Sequence, residues 1–299
     1  MFEERGARPP EVSVVLVFHN RITWTHEAAS SVLRQTYPDF EVILVDDGST
    51  EDVAPLRFDD PRVRHVRQDH AGAPAARNRG VDSARGKYVA LLDSDDLFLP
   101  TKLETQLRFM QKHTDLPLTH TSYYRMDPDG RMIGEISSGE FSGMVYPTIL
   151  LECPIHPSTV MVRRDALSLV PDFDESLSTV YDELVWSELA KRAEIGGITE
   201  PLTRVRMHTS VATFDLDIQL QAKKNILAHI RDDPALKGVA RRFVVSETLA
   251  AMGQFSWLQR RRGRCLAYVA RAIVAWPLNW KLYGFLFSSA LRYIRSGKQ

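Results

Sequence analysis

The stretch LLDSDDLFLP, residues 91–100, places Asp93, Asp95 and Asp96 within four positions directly behind an apolar run. Carboxylates this close repel one another, and near a core they also lose water, so the cluster calls for a compensating positive charge. A second acidic pair, Asp46 and Asp47, ends the apolar run of EVILVDDGST, and Asp182 and Glu183 open the run YDELVWSELA. Each has a plain reading. The aspartates of 93–96 can cap a helix starting near Pro100, Asp47 can bond its own turn, and Asp182 can cap its helix while Glu183 faces solvent. Three acids in so short a run exceed what capping needs. Arg77 in AARNRG and His208 in RMHTS are complementary in type, with plain alternatives as an exposed helix arginine and a structural histidine. His113 and His120 show no ligand spacing, and Cys153 reads as a small buried hydrophobe.

The elements that carry these residues alternate. EVSVVLVF (11–18), EVILV (41–45), RVRHV (62–66) and KYVALL (87–92) read as strands, the first two of the type buried on both faces. Between them lie helical patterns. Trp24, Ala28, Val32 and Leu33 share one side, GAPAARNRGVDSARG has proline early and glycine late, and Leu103, Leu107 and Met110 follow i, i+4, i+7. Ser49 or Thr50 is placed to cap a short helix after the second strand. The alternation predicts a mostly parallel sheet covered by helices, with ligands beyond the C-terminal strand ends. DDGST and DSDD both occupy such ends and are expected to converge on one crevice. Further on, SYYRMDPDGRMIGEI predicts a hairpin, STVMVRRDAL a strand leading into a helix, and YDELVWSELAKRA a helix with Leu184, Trp186, Leu189 and Ala190 apolar. ITEPLTRVRMH predicts a late strand, and the region from about residue 215 onward reads as largely helical.

The 299 residues are 44% hydrophobic and 25% charged, which fits one large domain or a domain with an appendage. Cys153 and Cys265 lie far apart without CxxC spacing, so neither a disulfide framework nor a zinc site is indicated and a reducing compartment, the cytoplasm, is expected. MFEERGARPPEVSVVLV reads as no signal peptide, and no apolar run of about 18 residues predicts a spanning helix. The formal net charge is zero, yet no Asp or Glu follows Glu247. The last 52 residues hold nine Lys or Arg, leaving 29 basic against 38 acidic residues in the first 247. Trp257, Trp276, Trp280, Tyr283, Phe285 and Phe287 are interspersed with those cations. Such a tail fits a peripheral contact with an anionic membrane leaflet or, equally, a helical cap or dimer surface. The acidic body and the lack of a recognition motif argue against nucleic-acid binding.

Taken in order, VSVVLVFHNR, SVLRQTYPDFEVILVDDGS, HAGAPAARNRGVDSARGKYVALLDSDD, PSTVMVRRDAL, FDESLSTVYDELVWSELA and RVRMHTSVAT resemble the family 2 inverting glycosyltransferases over residues 11–212. The resemblance implies an α/β GT-A fold, Rossmann-like, with a mostly parallel central sheet flanked by helices. Its nucleotide-binding half would span about 11–110 and its acceptor half about 111–212, with a tail at 1–10 and a helical basic C-terminal extension over 213–299. The implied reaction moves a sugar from a nucleoside-diphosphate sugar, UDP- or dTDP-linked, to a hydroxyl of a carbohydrate or lipid-linked acceptor in polysaccharide or glycoconjugate synthesis. It would run in the cytoplasm or on the inner face of the cell membrane.

By the same resemblance, Mg²⁺ or Mn²⁺ supplies the compensating charge, since both favour oxygen ligands. Asp95 is the leading ligand, with Asp93, Asp96 and His208 completing the set. Asp93 and Ser94 also face the nucleotide, and Asp46 or Asp47 would accept the ring N–H of uracil or thymine. Phe18 or His19 would pack against the base beside Asn20, in a Val17–Asn20 segment that departs from the usual Pro-Thr-Tyr-Asn type. Arg77 would lie near the nucleotide. Asp182 aligns with the general base, and Tyr181 stands where a first acid is usual. Two other readings compete. A binding or scaffold protein could retain the fold without turnover, and a sugar nucleotidyltransferase should carry a glycine-rich basic loop where VVLVFHNRI has no glycine.

Overall fold

The computed structural model describes residues 8–208, 215–279 and 282–283. The chain divides into two units, one of Met1–Tyr146 with Cys153–Thr209 and one of Pro147–Glu152 with Ser210–Gln299. The expected boundary at 212/213 lies outside the described residues.

The first unit runs β1 (Val12–Phe18), α1 (Ile22–Leu33), β2 (Phe40–Asp47), β3 (Val63–Gln68), α2 (Ala73–Ser83), β4 (Tyr88–Asp93), β5 (Leu97–Phe98), α3 (Lys102–Lys112), β6 (Leu118–Met126), β7 (Met132–Ile136), β8 (Met161–Arg163), α4 (Arg164–Leu167), α5 (Tyr181–Ala190) and β9 (Gly196–Arg206). The strands form one sheet in the order β3-β2-β1-β4-β8-β6-β9-β5, with β7 paired to β6. The first four are parallel. β1 and β2 are buried along their whole length, as their β-branched runs predict. The chain steps from β1 out to β3 and returns to β4 on the other side of β1, so the strand order reverses beside the C-terminal ends of β1, β2 and β4. Beyond β4 the sheet turns antiparallel through β8 and β6, while β9 lies parallel to β6. The hairpin of β6 and β7 turns at Asp127–Arg131.

Two glycines fix this geometry. A Cβ at Gly80 would meet Val15 Cγ1 at 2.3 Å, so α2 lies against β1 at backbone distance. Gly48 has φ +73° and lies where a Cβ would meet the backbone nitrogen of His70 at 2.6 Å, which closes the turn after Asp47. The expected helix capped by Ser49 or Thr50 is only a single 3₁₀ turn, Ala54–Leu56, with no side-chain cap. Ser49 Oγ is committed elsewhere, accepting the Asn20 N–H at 2.8 Å. In α5 the buried face runs through Val185, Trp186, Leu189 and Ala190, and Leu184 is only half-buried.

The second unit contains α6 (Leu216–Asp232), α7 (Gly238–Leu258) and α8 (Arg262–Ala275) around a core of Leu220, Leu249, Met252, Cys265, Val269 and Ala272. Asp215 caps α6, accepting from the N–H groups of Asp217 and Ile218 at 2.8 and 3.1 Å. Among the described residues no helix is long and apolar enough to cross a membrane. Of the tail residues singled out above, Trp280, Lys281, Phe285, Phe287, Arg292, Arg295 and Lys298 lie outside the described residues.

Candidate active site

The acidic run leaves the sheet at the end of β4, and its three aspartates diverge at once. Asp93 Oδ1 accepts from Arg77 Nη2 at 2.5 Å, and its own N–H donates to Ser158 Oγ at 3.1 Å. Burial raises the pKa of Asp93, but the charges of Arg77 and His156 and the Arg77 hydrogen bond together outweigh it and hold it below the ordinary value. Asp95 Oδ2 lies 2.7 Å from His208 Nε2 and 3.3 Å from Arg21 Nη1. Ser94 is half-buried between them. Asp96 is 1% exposed, with Oδ1 accepting the Arg206 N–H at 2.9 Å and Oδ2 accepting the Ser158 hydroxyl at 2.5 Å. Burial, then the charges of Asp95 and Asp93, push its pKa well above the usual aspartate value.

Asp96, expected as a metal ligand, also braces the fold, because its oxygens tie the end of β4 to β9 and to the turn before β8. Arg206 completes that brace. It donates to the Asp95 carbonyl at 2.9 Å, the Pro128 carbonyl at 2.6 Å and Glu27 Oε2 at 2.7 Å, and its guanidinium lies 5.1 Å from the Trp24 ring. The late strand and α1 thus hold the aspartate loop from two sides.

The donor set suits a hard divalent cation. Asp95 and His208 already face each other, and ligand atoms of Asp93, Asp96 and His156 lie within 4.8 Å of one another. Carboxylate oxygens dominate, which favours Mg²⁺ or Mn²⁺, and imidazole at the rim favours Mn²⁺ of the two. His156, half-buried beside these acids, was not singled out from the sequence. Its Nδ1 lies 3.5 Å from Asp96 Oδ2 and accepts the Ser158 N–H at 3.3 Å. The recognisable PST motif begins one residue after it, so only the fold brings it to the site.

At the neighbouring strand end, Asp46 and Asp47 are both engaged. Asp46 accepts from the Ser49 N–H at 2.7 Å and pairs with Arg67. Asp47 accepts from the N–H groups of Ala71 and Gly72 at 2.8 and 2.9 Å, from Gln68 Nε2 at 2.8 Å and from His70 Nδ1 at 2.8 Å. Burial opposes its ionisation, yet these bonds outweigh burial and its pKa is lowered. A carboxylate has about four acceptor positions, so a base N–H reaches Asp47 only by displacing Gln68 or His70. Phe18 is 3% exposed and belongs to the core, which corrects its expected packing against a base. The ring left at this edge is His19, which donates from Nδ1 to the Asp47 carbonyl at 2.8 Å and lies 4.1 Å from the His70 ring. Asn20 shapes the loop instead of presenting its amide, for its Oδ1 accepts from the N–H groups of Thr50 and Glu51 at 2.9 and 3.1 Å.

Asp182 sits in the first turn of α5, behind Val180 at φ 57°. A β-branched residue in the left-handed region is a genuine outlier, of a kind that costs about 1–3 kcal/mol and clusters where a side chain must be aimed. Burial raises the pKa of Asp182, with the Arg77 charge opposing it. Tyr181 lies beneath Arg77, 5.0 Å from guanidinium carbon to ring centre, and burial pushes its phenol up to about 12. Arg77 is therefore buried, not the exposed helix arginine of the plain reading, and its Nη1 makes no hydrogen bond. One guanidinium bonds the diphosphate-side candidate Asp93 and acts electrostatically on the base candidate Asp182.

Known proteins share the family and the fold of this chain. The family described as Glycosyl transferase family 2 matches residues 13–169. An uncharacterized glycosyltransferase of Rickettsia felis is 38% identical over 257 residues, covering 84% of this chain but 42% of that protein, so the chain spans about two fifths of this relative's length. Staphylococcus aureus TarS, residues 1–349, solved in complex with UDP-GlcNAc, superposes with a TM-score of 0.68 at 18% identity, covering 89% of this chain and 81% of that one. The Pyrobaculum calidifontis mannosyltransferase PcManGT, solved with GDP-Man and Mn²⁺, gives 0.61 at 17% identity, covering 96% and 81%. The two solved proteins show the shared GT-A fold, and with the family match over more than half its length the chain belongs to glycosyl transferase family 2.

Proposed function

We propose that the chain transfers a glycosyl group, with inversion, from a nucleoside-diphosphate sugar to an acceptor hydroxyl, with Asp182 as general base. The observation that carries this reading is that the buried guanidinium of Arg77 bonds Asp93 and is also within electrostatic reach of Asp182. The acceptor O–H gives its proton to the Asp182 carboxylate as its oxygen bonds the anomeric carbon. The bond from that carbon to the diphosphate breaks on the opposite side, and its electron pair leaves with the nucleotide. Burial makes Asp182 a stronger base than a solvated aspartate, and the Arg77 charge limits that rise. Asp95, Asp93 and His208 would hold Mn²⁺ or Mg²⁺, which when bound supplies charge neutralisation for the departing diphosphate.

The solved neighbours were crystallised with uridine and guanosine nucleotides. A uridine or thymidine donor is favoured here because Asp47 would receive a base N–H in exchange for the Gln68 or His70 side chain, its two backbone donors remaining. The acceptor is a carbohydrate or lipid-linked hydroxyl of polysaccharide or glycoconjugate synthesis, and the basic C-terminal extension is consistent with its presentation at the inner face of a membrane. The test is donor turnover by wild type and Asp182→Asn. The variant should lose at least a hundredfold in kcat while retaining nucleotide affinity, since general-base catalysis contributes about 10²–10⁴. A wild-type chain that binds nucleotide yet turns over no donor would favour the scaffold reading.

A further inference from the structure

Helix α8 is apolar on two sides, and only one of them has a partner. Cys265, Val269 and Ala272 are buried against the rest of the second unit. At 3.6 residues per turn, Gly263, Leu266, Ala267, Ala270 and Val274 fall within an arc of about 100° on the opposite side. All five are exposed, Leu266 at 64% and Val274 at 77%, and Leu278 just beyond the helix is 74% exposed. A shallow groove between α7 and α8, lined by Val245, Leu249, Ala270, Arg271, Val274 and Ala275, continues the same surface.

The border of this stripe is cationic. Arg264 and Arg271 lie along one edge of it, both exposed, and Arg264 is within electrostatic reach of Asp217. Arg242 stands at the groove, donating from Nε to the Ala275 carbonyl at 2.9 Å. Asp217 is paired with Arg261 at 2.8 Å, Glu247 accepts from Asn279 at 2.6 Å, and no acid follows Glu247 in the sequence.

We infer that this face of α8 is a docking surface for an anionic lipid bilayer. An apolar stripe bordered by arginines matches a membrane interface, where the apolar side chains enter the boundary and the cations meet lipid phosphates. A second copy of the chain fits less well, because a two-fold contact through this face would bring the like charges of Arg264 and Arg271 toward their own counterparts. Each cation near such a surface strengthens partition about fivefold, and salt screens the effect. The inference does not depend on the proposed transfer reaction, since a chain without turnover would dock equally.

The test is flotation of the full chain with vesicles of phosphatidylcholine alone and with 30 mol % phosphatidylglycerol. Wild type should float with the anionic vesicles only, and 0.5 M NaCl should release it. Leu266→Gln with Val274→Gln, both at exposed positions, should reduce bound protein at least tenfold while circular dichroism and thermal midpoint stay unchanged. Arg264→Ala with Arg271→Ala should reduce it at least tenfold as well. Absence of flotation, flotation indifferent to both double variants, or sedimentation showing a wild-type dimer that L266Q/V274Q converts to monomer would each overturn the inference, the last in favour of self-association.

Discussion

Arg77 concentrates several demands on one side chain. Its charge lowers the pKa of Asp93, opposes the rise at Asp182 and faces the Tyr181 ring. Lys102 is a different case, a fully buried cation with no carboxylate partner. Its Nζ donates to Gln106 Oε1 at 2.5 Å and lies 4.2 Å from the centre of the Phe98 ring. Burial depresses its pKa from 10.5 to about 7. Between those values the unfolded chain binds the proton and the folded chain does not, so stability rises with pH across that interval and the penalty is greatest below pH 7. Urea denaturation from pH 7 to 10 should show this slope, of up to about 1.4 kcal/mol per pH unit, and Lys102→Met should flatten it. At the same scale, Asp95→Ala and His208→Ala should each weaken Mn²⁺ binding by tenfold or more in calorimetric titration, against an unchanged fold by circular dichroism. Asp93, Asp95, Asp182 and His208 were legible because they stand in recognisable runs, whereas His156 and Arg206 reach the acids only across the sheet.

Elements are held in register by buried polar groups as well as by apolar contact. Glu41 on β2 accepts from Ser13 of β1 at 2.7 Å, Arg64 of β3 at 2.8 Å, and the Arg85 N–H before β4 at 2.9 Å. Burial alone would raise its pKa, but these bonds outweigh burial and lower it from 4.5. Its stabilising contribution is therefore complete above pH 4.5 and is lost as the pH falls through the lower folded value. Denaturant midpoints should fall below that pH, and Glu41→Gln should remove part of the fall while destabilising the chain at pH 7 by about 3 kcal/mol, as breaking a buried pair does. Gly80→Ala should destabilise by about 1–3 kcal/mol, since α2 must move off β1 or Val15 must leave its rotamer. The strands and helices themselves were readable from hydrophobic period and from the Pro-early, Gly-late pattern of α2. The absence of a capped helix after β2 was not, because Ser49 is bonded by Asn20, a partner 29 positions away.

Across the whole molecule, the chain separates into two units with distinct cores, and the acid-free stretch after Glu247 begins inside α7 of the second. A nucleoside diphosphate with Mn²⁺ at a hundredfold excess over its dissociation constant should stabilise the folded chain by about 2.7 kcal/mol. That raises the thermal midpoint by about 4–5 °C for a chain of this size. A scan of UDP, dTDP, GDP and CDP should rank UDP or dTDP first. The sequence by itself determined the α/β alternation, the family, the acidic strand ends and the charge split, because these follow from residue type and near spacing along the chain. Tertiary structure decided which partner holds each aspartate, that Phe18 faces the core, that His156 joins the acids, and that α8 carries a second apolar face. Those outcomes depend on partners that lie far away in the chain and meet only when the sheet and helices close around them.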